Sequence, residues 1–135
     1  MSRAQNHLTP LQHINAFTTA FIRKTRRTRY LEFLSDQKKR PKILGRLNHN
    51  LTNDLKEKNI SKYQPSNLNL LVQKEDLKVY LIADDRDLDG RFVPLSEALD
   101  ILESSHFGIV ISIIPGKLAA YKAESPSETI WLVRD

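Results

Sequence analysis

Ten Lys and Arg side chains lie between Ile22 and Arg46, opposed in that stretch by Glu32 and Asp36 alone. Cations at this density bind phosphate without needing a sequence code, and each neutralised phosphate releases counterions. Tyr30, inside the stretch, carries a flat ring of the kind on which a base stacks. The pattern implies a polyanion-binding face, with nucleic acid the expected polyanion. Its expected contacts are Arg23, Lys24, Arg26, Arg27, Arg29, Lys38, Lys39, Arg40 and Lys42. The same charges also fit the solvated side of two short amphipathic helices. They fit equally a face that meets acidic residues of this chain, of a second copy or of a protein partner. The turn ahead of Pro41 lacks the small residue and glycine that mark a helix-turn-helix.

A second pattern is acidic. Asp85-Arg86-Asp87-Leu88-Asp89-Gly90 alternates carboxylates and ends on a glycine that permits a sharp turn. This spacing can converge on one hard cation, calcium or magnesium, with Asp85, Asp87 and Asp89 as candidate ligands. Over these six residues the chain resembles the opening of an EF-hand loop, and Phe92 sits where that loop carries an apolar residue. The twelfth position is Ser96 rather than the bidentate Glu, and Glu97 comes one place late. The preceding residues look like a strand, where an EF-hand needs a helix. The plainer expectation is a loop from strand to helix, with no cofactor held.

Catalytic patterns are thin. The sequence contains no nucleophile elbow, zinc-protease helix, phosphate-binding glycine loop or dinucleotide fingerprint. His7 and His13 are six residues apart and would not share a helix face. His49 becomes a general base only if a carboxylate approaches it in space. A non-enzymatic protein is the expectation.

With 135 residues and no cysteine, disulfides, thiolate zinc sites and cysteine nucleophiles are excluded. Residues 1–64 carry 14 Lys and Arg against 4 Asp and Glu, whereas residues 65–135 carry 7 against 12. One half is therefore basic and the other acidic. No apolar run approaches the roughly 18 residues of a membrane span. The stretch MSRAQNHLTPLQHINAF lacks the apolar core of a secretory signal. The arginines follow the first apolar stripe instead of lying opposite it, which argues against an interfacial membrane helix. A cytoplasmic protein without membrane partners is expected.

The elements that must position these residues follow from periodicity. Thr9 and Pro10 start a first helix whose apolar stripe is Leu11, Ile14, Phe17 and Phe21. A break is expected near Thr25–Thr28, then a second helix to about Ser35. Pro41 opens a third helix with Ile43, Leu44, Leu47, Leu51 and Leu55 on one side, fading near Asn59. Gly45 within it suggests a close helix contact. A connector covers 59–69, and Leu68–Leu77 fits a short helix or a strand. Strands are expected at Lys78–Ala83, Phe107–Ile114, Leu118–Ala123 and Thr129–Val133, with a helix from Leu95 or Ser96 to Ser104. Pro115-Gly116 fits the centre of a type II turn. The fold class expected is α+β: three basic N-terminal helices and a β-α-β-β-β unit forming a mainly antiparallel four-stranded sheet. The chain reads as one domain over 1–135. Should the connector separate two parts, they are a basic helical part at 1–62 and an acidic α+β part at 66–135.

Overall fold

A computed structural model describes residues 8–134. Helix α1 spans Pro10–Phe21. Thr9 caps it by a reciprocal box: its hydroxyl accepts from Gln12 N at 3.2 Å, and Gln12 Oε1 accepts from Thr9 N at 2.7 Å. Helix α2 spans Lys24–Leu34. The break between them falls at Ile22–Arg23, earlier than the expected Thr25–Thr28. Ile22 forms an isolated antiparallel bridge with Leu55, and Arg23 N donates to Asp54 O at 2.8 Å. A tertiary contact therefore ends α1 before the run of basic residues begins.

The expected third helix is broken into pieces. Helix α3 covers Pro41–Leu44, a 3₁₀ turn covers Gly45–Asn48 and helix α4 covers Leu51–Asp54. The apolar positions still face inward, but Asn48 draws the backbone out of register. Asn48 Oδ1 accepts from Gly108 N at 2.7 Å, and its Nδ2 donates to Asp84 at 2.7 Å. Gly45 marks no close contact, since a Cβ there would meet nothing within 4 Å. A second 3₁₀ turn, Glu57–Asn59, leads to strand β1 at Ile60–Ser61, and helix α5 follows at Leu68–Val72.

The sheet has six strands rather than four. Besides β1 these are β2 (Lys78–Ala83), β3 (Phe92–Pro94), β4 (Ile109–Ile114), β5 (Leu118–Lys122) and β6 (Ile130–Val133). Helix α6, Leu95–Ser104, lies between β3 and β4 in the chain. The strand order is β1-β6-β5-β4-β2-β3. Every neighbouring pair is antiparallel. The two strands that periodicity misses are the two borders, and they are two and three residues long. The Pro115-Gly116 turn forms as expected: Gly116 has φ of 76° and Lys117 N donates to Ile114 O at 2.9 Å.

Successive strand residues alternate between two buried faces. One cross-strand row runs Phe92, Tyr80, Ser112, Ala119, Leu132 and Ile60. It packs beneath α1 and its neighbours, against Ile14, Phe17, Phe21 and Leu51. The opposite face, with Leu81, Ile111, Ala120 and Trp131, is covered by Leu68 and Leu71 of α5 and Leu95, Ala98 and Leu102 of α6. Helices thus cover both faces, and the basic N-terminal part shares a core with the sheet. Tyr121 and Trp131 lie on paired strands but on opposite faces. Among the described residues no helix is long and apolar enough to cross a membrane.

Candidate functional site

The structure divides the nine basic candidates into groups. An 11-residue α2 is about 16 Å long at 1.5 Å per residue. Arg23, Lys24, Arg26 and Arg27 belong to its start, Arg29 to its middle, and Lys38 to Lys42 lie beyond its far end. Along α2, Lys24, Arg26 and Arg29 are exposed, and Arg27 is half-buried. Arg23 Nε donates to Leu55 O at 3.0 Å and Arg27 Nε to Ile22 O at 3.2 Å. Both therefore brace the α1–α2 junction while their charge stays near the surface. Arg29 stacks its guanidinium over Phe33, 4.9 Å from the ring centroid.

Asp54 draws together Arg26 and Arg46. Its carboxylate is 3% exposed and accepts from Arg46 Nε and Nη2, both at 2.9 Å, while Arg26 Nε stands at 3.5 Å. The Tyr30 hydroxyl also donates to it. Tyr30 is buried, so it is unavailable for base stacking. Burial first, then the bond to Asp54, holds the Tyr30 hydroxyl well above the usual phenol range.

At the far end, Lys38 and Lys42 are exposed, and Lys39 pairs with Glu32 at 2.8 Å. Arg40 stands apart from the other candidates. Its side chain is 9% exposed, Nε and Nη2 donate to both Asp89 oxygens at 2.5 and 2.9 Å, and Nη1 donates to Leu34 O at 2.9 Å. The guanidinium also lies 5.5 Å from the Tyr80 ring centroid. Arg40 thus joins the basic part of the chain to the acidic part, and its fork is engaged by Asp89 and Leu34 O.

The acidic loop is the β2–β3 hairpin connection, with strands on both sides where an EF-hand has helices. Asp85 Oδ1 accepts from Asp87 N and Leu88 N at 2.9 and 3.1 Å. Asp89 Oδ1 accepts from Ala83 N at 2.9 Å in addition to Arg40. Two of the three candidate ligands are therefore engaged by the loop and by Arg40. Among the described residues no group of three or more His, Asp or Glu is arranged to hold a metal ion. A cleft of about 870 Å³ separates this loop from the start of α1 and the segment after α2. Leu11, Ile14, Leu44 and Tyr80 form apolar wall, with Asp84, Asp85 and Arg86 at the loop side.

One pairing that sequence spacing does not reveal joins His13 of α1 to Ser112 of β4, 99 positions away. His13 Nδ1 and Ser112 Oγ share a hydrogen bond of 2.7 Å, and both residues are buried. Tyr80 and Phe92 pack on the imidazole, each 5.5 Å between centroids. The pair satisfies two polar groups in the core. Burial lowers the His13 pKa from 6.5 to about 4. The unfolded chain therefore binds the extra proton first as pH falls, and stability is lost between about 6.5 and 4. A loss of about 2 kcal/mol is expected on going from about pH 7 to about pH 4.5. Urea titration of wild type and His13→Asn at both pH values checks this. The variant should lose less over that interval, and equal losses would contradict it.

His49 is exposed, with Nδ1 3.4 Å from Glu124 Oε1. The carboxylate expected of a base is near, but the pair stands on open surface. His7 lies outside the described residues. Comparison of the chain with protein families, with curated proteins and with solved structures finds no match.

Proposed function

We propose that the chain is a cytoplasmic, non-enzymatic binding protein that holds nucleic acid on the cationic surface of α2. The observation that carries this is the charge at the helix's start. Lys24, Arg26 and Arg27 occupy its first turns, the helix's own first turn carries no acidic residue, and Arg23 offers no side-chain cap. Cations at the positive end of a helix dipole destabilise it, whereas an external anion there is favoured twice, by the dipole and by the side chains. Lys24 and Arg29 have no carboxylate within ion-pair distance among the described residues. With Tyr30 buried and the Phe33 ring stacked under the Arg29 guanidinium, this surface offers charge in place of an open stacking ring. Duplex backbone is therefore favoured over single strands.

Fluorescence anisotropy with labelled duplex and single-stranded DNA and RNA, at several salt concentrations, tests this reading. Binding should weaken steeply with salt, and Lys24→Glu/Arg29→Glu should reduce the log–log salt slope by about 2. Those two positions are preferred over Arg26 and Arg27, whose side chains also hold Asp54 and Ile22. An unchanged slope would overturn the assignment. A chain that ignores nucleic acid and forms a salt-sensitive oligomer would instead indicate self-association through its basic and acidic faces.

A further inference from the structure

The cations at the start of α2 have neighbours from distant parts of the sequence. A cleft of about 480 Å³ opens between the exposed side of α1 and the turn joining β4 to β5. Gln12, Asn15 and Thr19 form the helix wall, and Lys117 and Arg134 form the other. Every charged side chain lining it among the described residues is a cation. The turn is seated on the helix: an ideal Cβ at Gly116 would stand 3.4 Å from Ala16 Cβ.

A further ammonium reaches the helix wall from the segment after α4. Lys56 Nζ donates to Thr19 O at 3.1 Å, and its backbone N donates to Phe21 O at 2.8 Å. Desolvation, then the charges of Arg27, Lys58 and Arg134, lower the Lys56 pKa below its ordinary value. These like charges repel one another, and a bound anion would relieve that repulsion. Arg27 belongs to both groups. It is anchored at the α1–α2 junction, and its field reaches Lys56.

We propose that Lys56, Lys117 and Arg134 form a second cradle for the sugar–phosphate backbone of nucleic acid, continuing the α2 surface past Arg27 to the β4–β5 turn. This rests on the nucleic-acid reading given above and extends its footprint. The cleft offers ammonium and guanidinium groups, two amides and a hydroxyl, all suited to phosphate oxygens. No aromatic ring lines it among the described residues, so the contact is with backbone and not with stacked bases. It adds affinity equally for all sequences.

The test is anisotropy with the full chain and two unrelated DNA duplexes over roughly 50 to 200 mM salt. Wild type is compared with Lys24→Glu/Arg29→Glu and with Lys117→Glu/Arg134→Glu. The last pair should weaken binding to both duplexes by at least about tenfold and reduce the salt slope by about 2. A milder pair, Lys117→Gln/Arg134→Gln, should give a smaller loss of the same kind, and it carries the test if the reversed pair does not fold. If wild type binds and the α2 pair weakens it while both pairs at 117 and 134 match wild type, the cradle is overturned and the α2 surface stands. If wild type binds neither duplex, both fail.

Discussion

Gly108→Ala is expected to lower the melting temperature by more than about 10 °C, or to prevent folding altogether. A Cβ at this position would stand 2.2 Å from both the carbonyl carbon and the oxygen of Leu47, and 2.6 Å from Asn48 N. These are backbone atoms of the 3₁₀ turn Gly45–Asn48, and the turn has little freedom to withdraw. The Tyr121 hydroxyl donates to Leu47 O. Asn48 O accepts from Glu124 N at 2.9 Å. The Asn48 amide bonds Gly108 and Asp84. Retreat would strain or break several hydrogen bonds, each contributing about 1 kcal/mol. Gly45→Ala is the matched control. A Cβ there meets nothing within 4 Å and the backbone is helical, so it should be neutral or slightly stabilising. Thermal unfolding of both variants gives the answer. Equal melting of Gly108→Ala and wild type would show that the turn shifts freely and does not fix the helical layer to the sheet.

The second large effect is expected at Asp54. Asp54→Ala removes the acceptor for Tyr30 and Arg46 and the nearest carboxylate to Arg26. Breaking a buried ion pair from one side costs about 3–5 kcal/mol. Arg46 is one-third exposed, which places the expected loss near the lower end, about 3 kcal/mol. Tyr30→Phe removes one bond to the same carboxylate and should cost about 1 kcal/mol. Urea unfolding of the two variants separates the contributions. A loss for Asp54→Ala no larger than that for Tyr30→Phe would mean that the arginines find water as readily as they find the carboxylate. The pair of variants also bears on function. Asp54 holds part of the basic segment in place, so its loss should loosen the α2 surface without removing any cation.

Much of the architecture is legible because local chemistry decides it. Thr9, Pro10 and Gln12 specify the start of α1. The runs Lys78–Ala83 and Ile109–Ile114 are apolar enough to be buried on both faces. Gly116 supplies the positive φ that its turn needs. The border strands are not legible, since two or three residues become a strand only by pairing. Ile60 pairs with Leu132, and no window around Ile60 contains that partner. The break at Ile22–Arg23 is set by Leu55 and Asp54, more than thirty positions away. The fragmentation of the third helix depends on Gly108 and Asp84 receiving Asn48. The same logic limits the site. The concentration of cations at 22–46 is plain in the sequence. That Arg40 and Arg46 answer internal carboxylates, and that Lys117 and Arg134 share one wall of a cleft, depends on long-range folding.

The brevity of β1 and β3 has a consequence for how this chain behaves among copies of itself. An open sheet margin is a template on which another strand can zip, and long apolar strands at a margin seed aggregates. Here the β-rich, charge-poor segment Ile109–Ile114 is sealed in the middle of the sheet. One margin offers two residues and the other three, ending at Pro94, which has no N–H to donate. Copies gathered along a polyanion, as the proposed function implies, would reach the high local density at which fibre growth is most readily nucleated. A neighbouring copy finds almost no backbone ladder to extend.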